Sequence, residues 1–345
     1  MFDVVTIGTA TRDVFLKSNL FKIVHDPKHL ERLGFPTGEA QCFALGGKLE
    51  VQTPVITVGG GAANAAVTFA RQGFKTGALF KIGKDQSGRD VLFDLRKERI
   101  TSLCAFDEKQ MTAYSVILLS PSGERTILNY RGASEDLSLR NVTQNSLKTR
   151  WLYVVPGRIS MNVIRTLIER AKKNGARIAI NFSKYYLDMG AQKLKPLLKH
   201  VDVVQLNREE AAYLTGMKFE REKEMFKRID EMIPGIAVMT DGSRGVMVSD
   251  GTTMYKAGIY KGKKIIDRTG AGDAFGSGFV AGLMHKNHDG KVISRESIEY
   301  AIRLASANAT SVVEAIGAQP GILRKKQFTS EVRWHHLPVT THTLS

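Results

Sequence analysis

Short apolar runs of β-strand type alternate with amphipathic helical patterns along most of this chain of 345 residues. The strand candidates cover residues 4–8, 77–82, 151–155, 178–181, 201–206 and 236–240. The helix candidates lie near residues 61–72, 86–99, 160–174, 190–199, 207–215, 221–232, 272–285 and 295–315. Because strands that alternate with helices pair in parallel and are covered on both faces, the sequence predicts an α/β fold with a mostly parallel central sheet. Ligands of such sheets bind at the carboxyl ends of the strands.

Two segments interrupt this alternation. Residues 15–56 contain no convincing helix–strand unit, and residues 112–130 have the pattern of a hairpin. The two strands of that hairpin, 114–119 and 125–130, are joined by a Pro-Ser-Gly turn. Together the two segments could form a small second sheet that covers a binding site. A surface hairpin without such a role is the alternative.

Composition excludes several classes of protein. No apolar run is long enough to span a membrane, and the chain begins with a strand pattern (MFDVVTIG) instead of a signal peptide. Cys42 and Cys104 are the only cysteines, so neither a disulfide framework nor a cysteine-based metal cluster is expected. We therefore expect a cytoplasmic protein that makes no membrane contact.

Positive charge is concentrated in one part of the chain. The formal net charge is +16, and residues 148–200 contain twelve lysines and arginines against two acidic residues. A nucleic acid or an acidic partner could bind there. However, the charges fit the outer faces of two helices, the first with Ile164, Ile168 and Ala171 as its buried stripe. Since no recognised nucleic-acid-binding motif accompanies them, we expect a solvated basic face and no specific nucleic-acid binding.

The stretch DRTGAGDAFGSGFVAGL, residues 267–283, carries the strongest functional signal. Gly270, Ala271 and Gly272 lie where a loop turns into a helix, and their small side chains leave the backbone accessible. Their N–H groups could bind an anion, because unpaired amides and the helix dipole favour negative charge there. Asp273 adds a carboxylate beside this anion hole. The combination suits transfer of a phosphoryl group to a hydroxyl whose proton the aspartate accepts. A capped helix start without chemistry is the alternative.

A second glycine motif, GGGAANAAVTFARQG, covers residues 59–73. Its glycines permit close approach of a ligand to the backbone, and Asn64 offers both a hydrogen-bond donor and an acceptor. Asp13 follows the first strand, where its carboxylate could accept hydrogen bonds from two neighbouring hydroxyls. Plain turns are the alternative, since aspartate and glycine clusters are common in turns.

A third motif, Asn207-Arg-Glu-Glu210, follows the strand candidate at 201–206. Asn207 and Glu210 could form a capping box at the start of the next helix. Alternatively, they could hold Mg²⁺ through water beside nucleotide phosphates, since Mg²⁺ keeps several waters and takes only one or two carboxylates. Thr240 to Gly245 form a tight strand–turn–strand that could support a ribose or purine.

In their order along the chain, these motifs resemble those of the PfkB family of ribokinase-like sugar and nucleoside kinases. The resemblance runs from about residue 3 to residue 323. It includes four signatures of the family, at residues 59–73, 207–210, 240–245 and 267–283. It implies a ribokinase-like fold, with helices on both faces of the central sheet and a small β lid.

The resemblance also implies a role for each motif residue. Asp273 would be the catalytic base, and the amides of Gly270, Ala271 and Gly272 would form the anion hole. The residues that would hold the acceptor's hydroxyls are Asp13, Gly59, Gly60 and Asn64. The residues that would bind ATP are Asn207, Glu210, Thr240, Gly242, Gly245 and Asn308.

Two cofactors follow from the same resemblance. Asn207 and Glu210 would organise the Mg²⁺ that accompanies ATP, through water. Asp267 and Thr269 match two ligands of the monovalent cation, for example K⁺, that family members often bind.

The resemblance further suggests how the chain is organised. The lid of the family corresponds to segments 15–56 and 112–130, and in many members it mediates dimerisation, so a homodimer through the lid is expected. We expect one kinase domain over residues 1–325 and a weakly structured tail over residues 326–345.

The sequence thus predicts an ATP-dependent kinase that phosphorylates a hydroxymethyl group of a sugar. A nucleoside kinase is the main alternative, with Phe15, Phe43 and Tyr114 as candidates for a surface that stacks on a base. Arg131, after the hairpin, could bind a phosphate or carboxylate on the acceptor, or could be a surface arginine. A non-catalytic sugar- or nucleotide-binding regulator is disfavoured, because it would not need the base, the anion hole and the metal motif together.

Overall fold

The predicted strands assemble into a large central sheet, except that residues 81–82 of the candidate strand 77–82 pair in a separate two-stranded sheet. The computed structural model describes residues 1–35, 37–120, 125–287 and 293–343. Its strands are β1 (Phe2–Gly8), β2 (Thr11–Lys17), β3 (Lys22–His25), β4 (Glu39–Cys42), β5 (Val55–Gly59), β6 (Thr76–Leu79), β7 (Lys81–Gly83), β8 (Thr101–Ser102), β9 (Ala105–Asp107), β10 (Ala113–Leu119), β11 (Arg125–Tyr130), β12 (Thr149–Val155), β13 (Arg177–Asn181), β14 (Val203–Asn207), β15 (Ile236–Thr240), β16 (Val246–Ser249), β17 (Thr253–Ala257) and β18 (Val339–Thr343). The central sheet has the order β18-β17-β16-β15-β14-β13-β12-β1-β6-β8. Neighbouring strands are parallel from β15 to β8 and antiparallel from β15 to β18, so the prediction of a mostly parallel sheet is confirmed.

Helices connect the parallel strands. They are α1 (Pro27–Leu30), α2 (Gly61–Arg71), α3 (Gln86–Lys97), α4 (Met161–Lys173), α5 (Lys184–Leu187), α6 (Ala191–Leu198), α7 (Arg208–Thr215), α8 (Glu222–Asp230), α9 (Ala271–Lys286), α10 (Arg295–Val312) and α11 (Lys325–Ser330). Each predicted helix coincides with one of these to within a few residues. Asp85, Asn207 and Ser294 begin α3, α7 and α10, since each side chain accepts a hydrogen bond from a first-turn N–H. Within the described residues, no helix has the length and apolar character needed to cross a bilayer.

The central strands are apolar on both faces because each face packs against a layer of helices. In β12, Leu152 and Val154 belong to the apolar layer that includes residues of α4, α6 and α8. Trp151 and Tyr153 of the same strand belong to the opposite layer, with residues of α9 and α10. Successive residues of a strand thus point to opposite faces, and both faces are buried. This is why the strand sequences are continuously apolar and do not alternate between apolar and polar residues, as they would in a half-exposed sheet.

Two glycines inside α9 bring it close to α10. A Cβ on Gly278 would lie 3.0 Å from the Cα of Ala305, and a Cβ on Gly282 would lie 2.5 Å from the Cα of Ala301. Gly282 therefore has no room for a side chain, and Gly278 has room for one only if α10 shifts. The close packing fixes α9, whose first turn carries the GAGD motif, against the rest of the fold.

A second sheet of four strands has the order β11-β10-β2-β5, so the small lid-like sheet is confirmed. The predicted hairpin corresponds to β10 and β11, with Tyr114 opposite Tyr130; its Pro-Ser-Gly turn, residues 121–123, lies outside the described residues. Of segment 15–56, only the two ends join this sheet, in β2 and β5. The middle of that segment contains β3 and β4, which pair with each other as a separate two-stranded sheet.

Residues 326–343 are not the weakly structured tail that the sequence suggested, and that expectation was wrong for them. Their last strand, β18, pairs with β17 at the edge of the central sheet. Trp334 is 2% exposed and packs edge-on against Tyr260, with ring centroids 5.2 Å apart. The partners of this segment lie about eighty residues earlier in the chain, and a local pattern cannot reveal such pairing.

The basic segment 148–200 includes α4 and α6. In α4 the predicted residues Ile164, Ile168 and Ala171 are buried, together with Leu167. Most of the lysines and arginines of the two helices are exposed on the other side. The segment therefore forms amphipathic helices with a basic outer face.

Candidate active site

The first turn of α9 presents backbone N–H groups beside the end of β14. Gly270 caps the helix with φ 79°, a left-handed conformation that favours glycine. Within the described residues, the N–H groups of Gly270 and Gly272 have no hydrogen-bond acceptor. Nε2 of Gln205, in β14, donates to the carbonyl of Gly272 over 2.9 Å and ties the turn to the central sheet. These donors are therefore available to an anion at the positive end of the helix dipole.

Asp273 follows in the same turn, and Asn64 of α2 holds its carboxylate. Nδ2 of Asn64 donates to Oδ2 of Asp273 over 2.9 Å. Burial raises the pKa of Asp273 above its ordinary value of 3.8, and the nearby charge of Asp13 raises it further. The hydrogen bond from Asn64 acts in the opposite direction, because it stabilises the carboxylate. The result is a fixed carboxylate that accepts a proton more readily than an exposed aspartate does.

Asp13, in β2, is the second carboxylate of the site and is 7% exposed. Its oxygens accept hydrogen bonds from the hydroxyls of Thr11, over 2.8 Å, and Ser115. Burial nevertheless raises its pKa. A Cβ on Gly59 would lie 1.8 Å from Oδ2 of Asp13, so the carboxylate can occupy this place only beside a glycine. The glycine motif and Asp13 therefore belong to one structural unit.

A cavity of about 210 Å³ brings most of the predicted acceptor-binding residues together with the predicted base. Its walls come from the loop after β1, from the starts of α2 and α9, and from the inner face of the four-stranded sheet. The lining residues are Thr9, Thr11, Asp13, Gly60, Asn64, Ala113, Ser115, Ile127, Asn129, Arg131, Ser134, Thr269, Gly270 and Asp273. Most of these described residues are polar, and none of them is aromatic. Gly59 is not among them, since it supports Asp13 from behind.

Arg131 lies in the cavity wall. Of its two interpretations, an arginine that binds the acceptor and a surface arginine, the first requires this position. Nε of Arg131 is 3.3 Å from Oε1 of Glu135, which also lies 3.7 Å from Nε of Arg158. Two guanidinium groups thus share one carboxylate at this side of the cavity, which leaves an excess of positive charge.

The three aromatic candidates for a base-stacking surface lie elsewhere. Phe15 is 2% exposed and packs in the small apolar cluster of the lid. Phe43 packs edge-on against Phe21. Tyr114 alternates with the lining residues Ala113 and Ser115 along β10, so it lies on the outer face of the four-stranded sheet.

Asn207 and Glu210 form the capping box that was one of the two interpretations. Oδ1 of Asn207 accepts from the N–H of Glu210, and Oε2 of Glu210 accepts from the N–H of Asn207, both over 2.8 Å. Oε1 of Glu210 has no partner among the described residues, and burial raises the pKa of this carboxyl. Asn207 is also the last residue of β14, the strand whose Gln205 contacts the α9 turn. The capping box therefore leaves one carboxylate oxygen available on the same edge of the sheet as the anion hole.

The turn after β15 is tight. Gly242 and Gly245 have φ values of 54° and 94°, and a Cβ on Gly245 would lie 2.1 Å from the carbonyl oxygen of Ala257. Asp241 holds the turn through a 2.8 Å ion pair with Arg208 of α7. Thr240, at the end of β15, pairs with Asn207 in the parallel register. The two motifs assigned to ATP are therefore neighbours on the same sheet edge.

Asn308 does not lie on an open surface, which corrects its assignment to the ATP site. It is fully buried in α10. Its Nδ2 donates to the carbonyl of Ala274 over 2.8 Å, and its Oδ1 accepts from the N–H of Leu323 over 2.9 Å. Because the side-chain amide is occupied by the protein, Asn308 fixes α9 and the C-terminal segment to α10 instead of contacting a nucleotide.

Asp267 is a fully buried carboxylate next to the anion hole. Its Oδ1 accepts from the N–H of Thr269 over 2.9 Å and from the hydroxyl of Thr269 over 2.7 Å, and its Oδ2 accepts from the N–H of Gly317 over 3.0 Å. No ion pair to it is found within the part of the chain that the structure describes. A buried carboxylate that has hydrogen bonds but no counter-charge is compatible with a nearby cation.

Several residues of the site carry no motif of their own. The carbonyl of Thr9 accepts from the N–H of Ala62 over 3.1 Å, and its hydroxyl accepts from the N–H of Gly61 over 3.2 Å, so it holds the start of α2. The signal in the sequence that could have indicated Thr9 is its position directly after β1, in the stretch TATRD. Asn129 lies in the cavity wall because it is on the same face of the sheet as Ser115. Only the pairing register reveals that position.

Comparison with known proteins identifies the family and the fold of this chain. The profile of the pfkB family carbohydrate kinases matches residues 37–325. A ribokinase from Haemophilus influenzae is 30% identical over 292 residues, which cover 82% of this chain and 89% of that protein. The ribokinase from Giardia lamblia superposes with a TM-score of 0.79 at 20% identity, covering 96% of this chain and all of that one. The adenosine kinase from Sinorhizobium meliloti superposes with a TM-score of 0.75 at 22% identity, covering 95% and 98% of the two chains. With the family profile matching most of its length, this chain belongs to the pfkB family of carbohydrate kinases, which phosphorylate sugars or nucleosides.

Proposed function

We propose that this protein transfers the γ-phosphoryl group of ATP to a hydroxymethyl group of a sugar, with Asp273 as the catalytic base. One observation carries the proposal: the Asp273 carboxylate and the α9 turn open into the same polar cavity as Asp13. A hydroxyl bound there would have a proton acceptor on one side and anion-binding N–H groups on the other. This is the arrangement that in-line phosphoryl transfer needs.

In the proposed reaction, the acceptor oxygen forms a bond to the γ-phosphorus while the bond from phosphorus to the β-phosphate oxygen breaks. The acceptor's proton goes to Asp273, and ADP leaves. Asn64 orients the Asp273 carboxylate, and Asp13 accepts hydrogen bonds from the acceptor's other hydroxyls. The N–H groups of Gly270 and Gly272, which have no acceptor among the described residues, stabilise the charge on the transferred group.

The cavity favours a sugar over a nucleoside. It is about 210 Å³, below the range of roughly 300–1,000 Å³ that is common for sites of drug-sized ligands. A sugar presents hydroxyls on every side, and hydroxyl, carboxylate and amide groups surround it here. A nucleoside would need an apolar or aromatic surface for its base, and Phe15, Phe43 and Tyr114 are all absent from the described lining.

Arg131 supports a second candidate substrate class. A sugar that already carries a phosphate or carboxylate could place that group against the guanidinium, which suits planar anions. The excess positive charge around Glu135 favours this variant of the same reaction.

The donor sets at both proposed cation sites fit their ions. Asn207 and Glu210 would hold Mg²⁺ through water, and the chemistry that Mg²⁺ supplies when bound is neutralisation of phosphate charge. Asp267 and Thr269 would hold K⁺ beside the anion hole. The homodimer through the lid remains a prediction.

A coupled assay of ADP release tests the proposed activity. Purified protein with Mg-ATP is offered neutral sugars, sugar phosphates, sugar acids and nucleosides, with and without K⁺. We expect one sugar to raise the rate far above the ATPase background, and K⁺ to increase it further. Turnover of nucleosides alone would contradict the sugar assignment. Folded protein that binds ATP but turns over no acceptor would favour the regulator.

The pH dependence of the reaction provides a further prediction. Asp273 must be a carboxylate to accept a proton, and its pKa is raised above 3.8. Activity should therefore be present above the raised pKa and lost as the pH falls through it, so the acid limb of kcat/KM should lie above pH 3.8. Because the charge of Asp13 contributes to the shift, Asp13→Asn should move this limb to lower pH. An unchanged limb in that variant would contradict the coupling of the two carboxylates.

A further inference from the structure

The loop after α10 contacts the lid, the α9 turn and the start of α2, the three elements that surround Asp273. We call residues 316–320, Ile-Gly-Ala-Gln-Pro, the C-terminal loop. Ile316 packs against the apolar cluster of the lid, and the N–H of Gly317 donates to Asp267 over 3.0 Å. Ala318 lies against Gly270, where a Cβ would approach it to 2.3 Å. Gln319 completes the set, because its Nε2 donates to Oδ1 of Asn64 over 3.1 Å.

The contact between Gln319 and Asn64 determines which end of the Asn64 amide faces the proposed base. Asn64 is 5% exposed, and its Nδ2 donates to Oδ2 of Asp273. An asparagine amide has an accepting end and a donating end of nearly the same shape. Since Gln319 offers a donor, it favours the orientation in which Asn64 turns its oxygen to Gln319 and its NH₂ group to Asp273. The flipped amide would bring its oxygen against the carboxylate and lose both hydrogen bonds.

The backbone of Gln319 is itself held in place. Nη1 of Arg71 donates to the carbonyl of Gln319 over 2.9 Å and to that of Ile322 over 2.8 Å. Nη2 of the same guanidinium pairs with Glu98 over 2.7 Å. Gln319 therefore presents its side chain from a fixed loop, which a positioning role requires.

We infer that Gln319 is a positioning residue for phosphoryl transfer: it fixes the orientation of the Asn64 amide, and through it the hydrogen bond to Asp273. This inference rests on the proposed function of Asp273 as the base. Gln319 does not touch the acceptor's reacting hydroxyl in this scheme, and its effect passes through Asn64.

The test is the variant Gln319→Met, which keeps the length of the side chain and removes its donor. We expect kcat to fall between about 10-fold and 100-fold, because the base loses its fixed position, with little change in the KM for ATP. Loss of the Asn64 donor should also raise the pKa of Asp273, so the acid limb should move to higher pH. Gln319→Glu should shift the limb further, because a carboxylate attracts the Asn64 NH₂ group away from Asp273 and adds negative charge.

Gln72→Met provides the matched control. Gln72 is a glutamine whose side chain likewise donates to a distant part of the chain: it is 1% exposed, and its Nε2 donates to the carbonyl of Leu323 over 2.9 Å. It therefore ties α2 to the segment that follows the C-terminal loop, without a hydrogen bond to Asn64. Its loss should lower the thermal midpoint while leaving the pH profile of the enzyme unchanged.

A double variant separates positioning from general stabilisation. If Gln319 acts through Asn64, adding Gln319→Met to Asn64→Ala should cost no further activity. An additive loss, or a wild-type pH profile in Gln319→Met, would overturn the inference. Asp273→Asn distinguishes this failure from failure of the proposed function: an inactive Asp273→Asn enzyme beside an unaffected Gln319→Met enzyme contradicts only the positioning role. An active Asp273→Asn enzyme contradicts the proposed function itself.

Discussion

Replacing Asp273 by asparagine should lower kcat by about 10²–10⁴-fold, the usual contribution of a general base. The amide has nearly the same shape but cannot accept the acceptor's proton, so binding should persist while the chemical step fails. ATP affinity should change by no more than about threefold, which is less than 1 kcal/mol. Single-turnover kinetics with the best acceptor of the panel, together with ATP titration, would measure both quantities.

Asp13→Asn is the informative comparison for Asp273→Asn. Asp13 lies in the same cavity and is also a buried carboxylate with a raised pKa. Its proposed partners are acceptor hydroxyls that do not react, so this variant should mainly raise the KM for the acceptor. If Asp13→Asn lost kcat and Asp273→Asn lost only affinity, the two roles would have to be exchanged. Near-normal turnover in Asp273→Asn would contradict the assignment of the base.

The central sheet and its helices could be predicted because both are local patterns. Strands buried on two faces give continuous apolar runs, and helices such as α4 give a clear buried stripe. The edge strand β18 could not be predicted, because its exposed, polar residues have a meaning only beside β17. The middle of segment 15–56 was likewise ambiguous, since β3 is short and exposed along its whole length.

The candidate site was predictable where a residue lies within a glycine motif. Gly59 illustrates why: its lack of a side chain is required by the carboxylate of Asp13, so the glycine marks the site. Asn308 was assigned incorrectly because a polar residue on an apolar helix can satisfy either a ligand or a buried backbone group. Gln319 was missed because its partner Asn64 is distant in sequence, and the contact exists only in the fold.

The second large effect is expected at Gly270, where alanine should disturb the anion hole. A methyl group there would lie 2.3 Å from the Cβ of Ala318, and the backbone has φ 79°. The turn or the C-terminal loop must therefore move, which displaces the N–H donors of residues 270–272. Loss of one such donor costs about 10²–10³ in kcat. We expect a fall of that size in Gly270→Ala, measured with saturating ATP and acceptor.

Gly216→Ala is the matched control for this prediction. Gly216 ends α7 with φ 70°, and a Cβ there would meet no atom within 4 Å. The two variants share the cost of placing alanine in the left-handed region, roughly 1 kcal/mol, but only Gly270→Ala also has a steric conflict, with Ala318 beside the proposed anion hole. Both should therefore lower the thermal midpoint, whereas kcat should fall in Gly270→Ala alone. If the two variants lost activity equally, backbone strain would explain the result, and the α9 turn would have no special role in binding the transferred phosphoryl group.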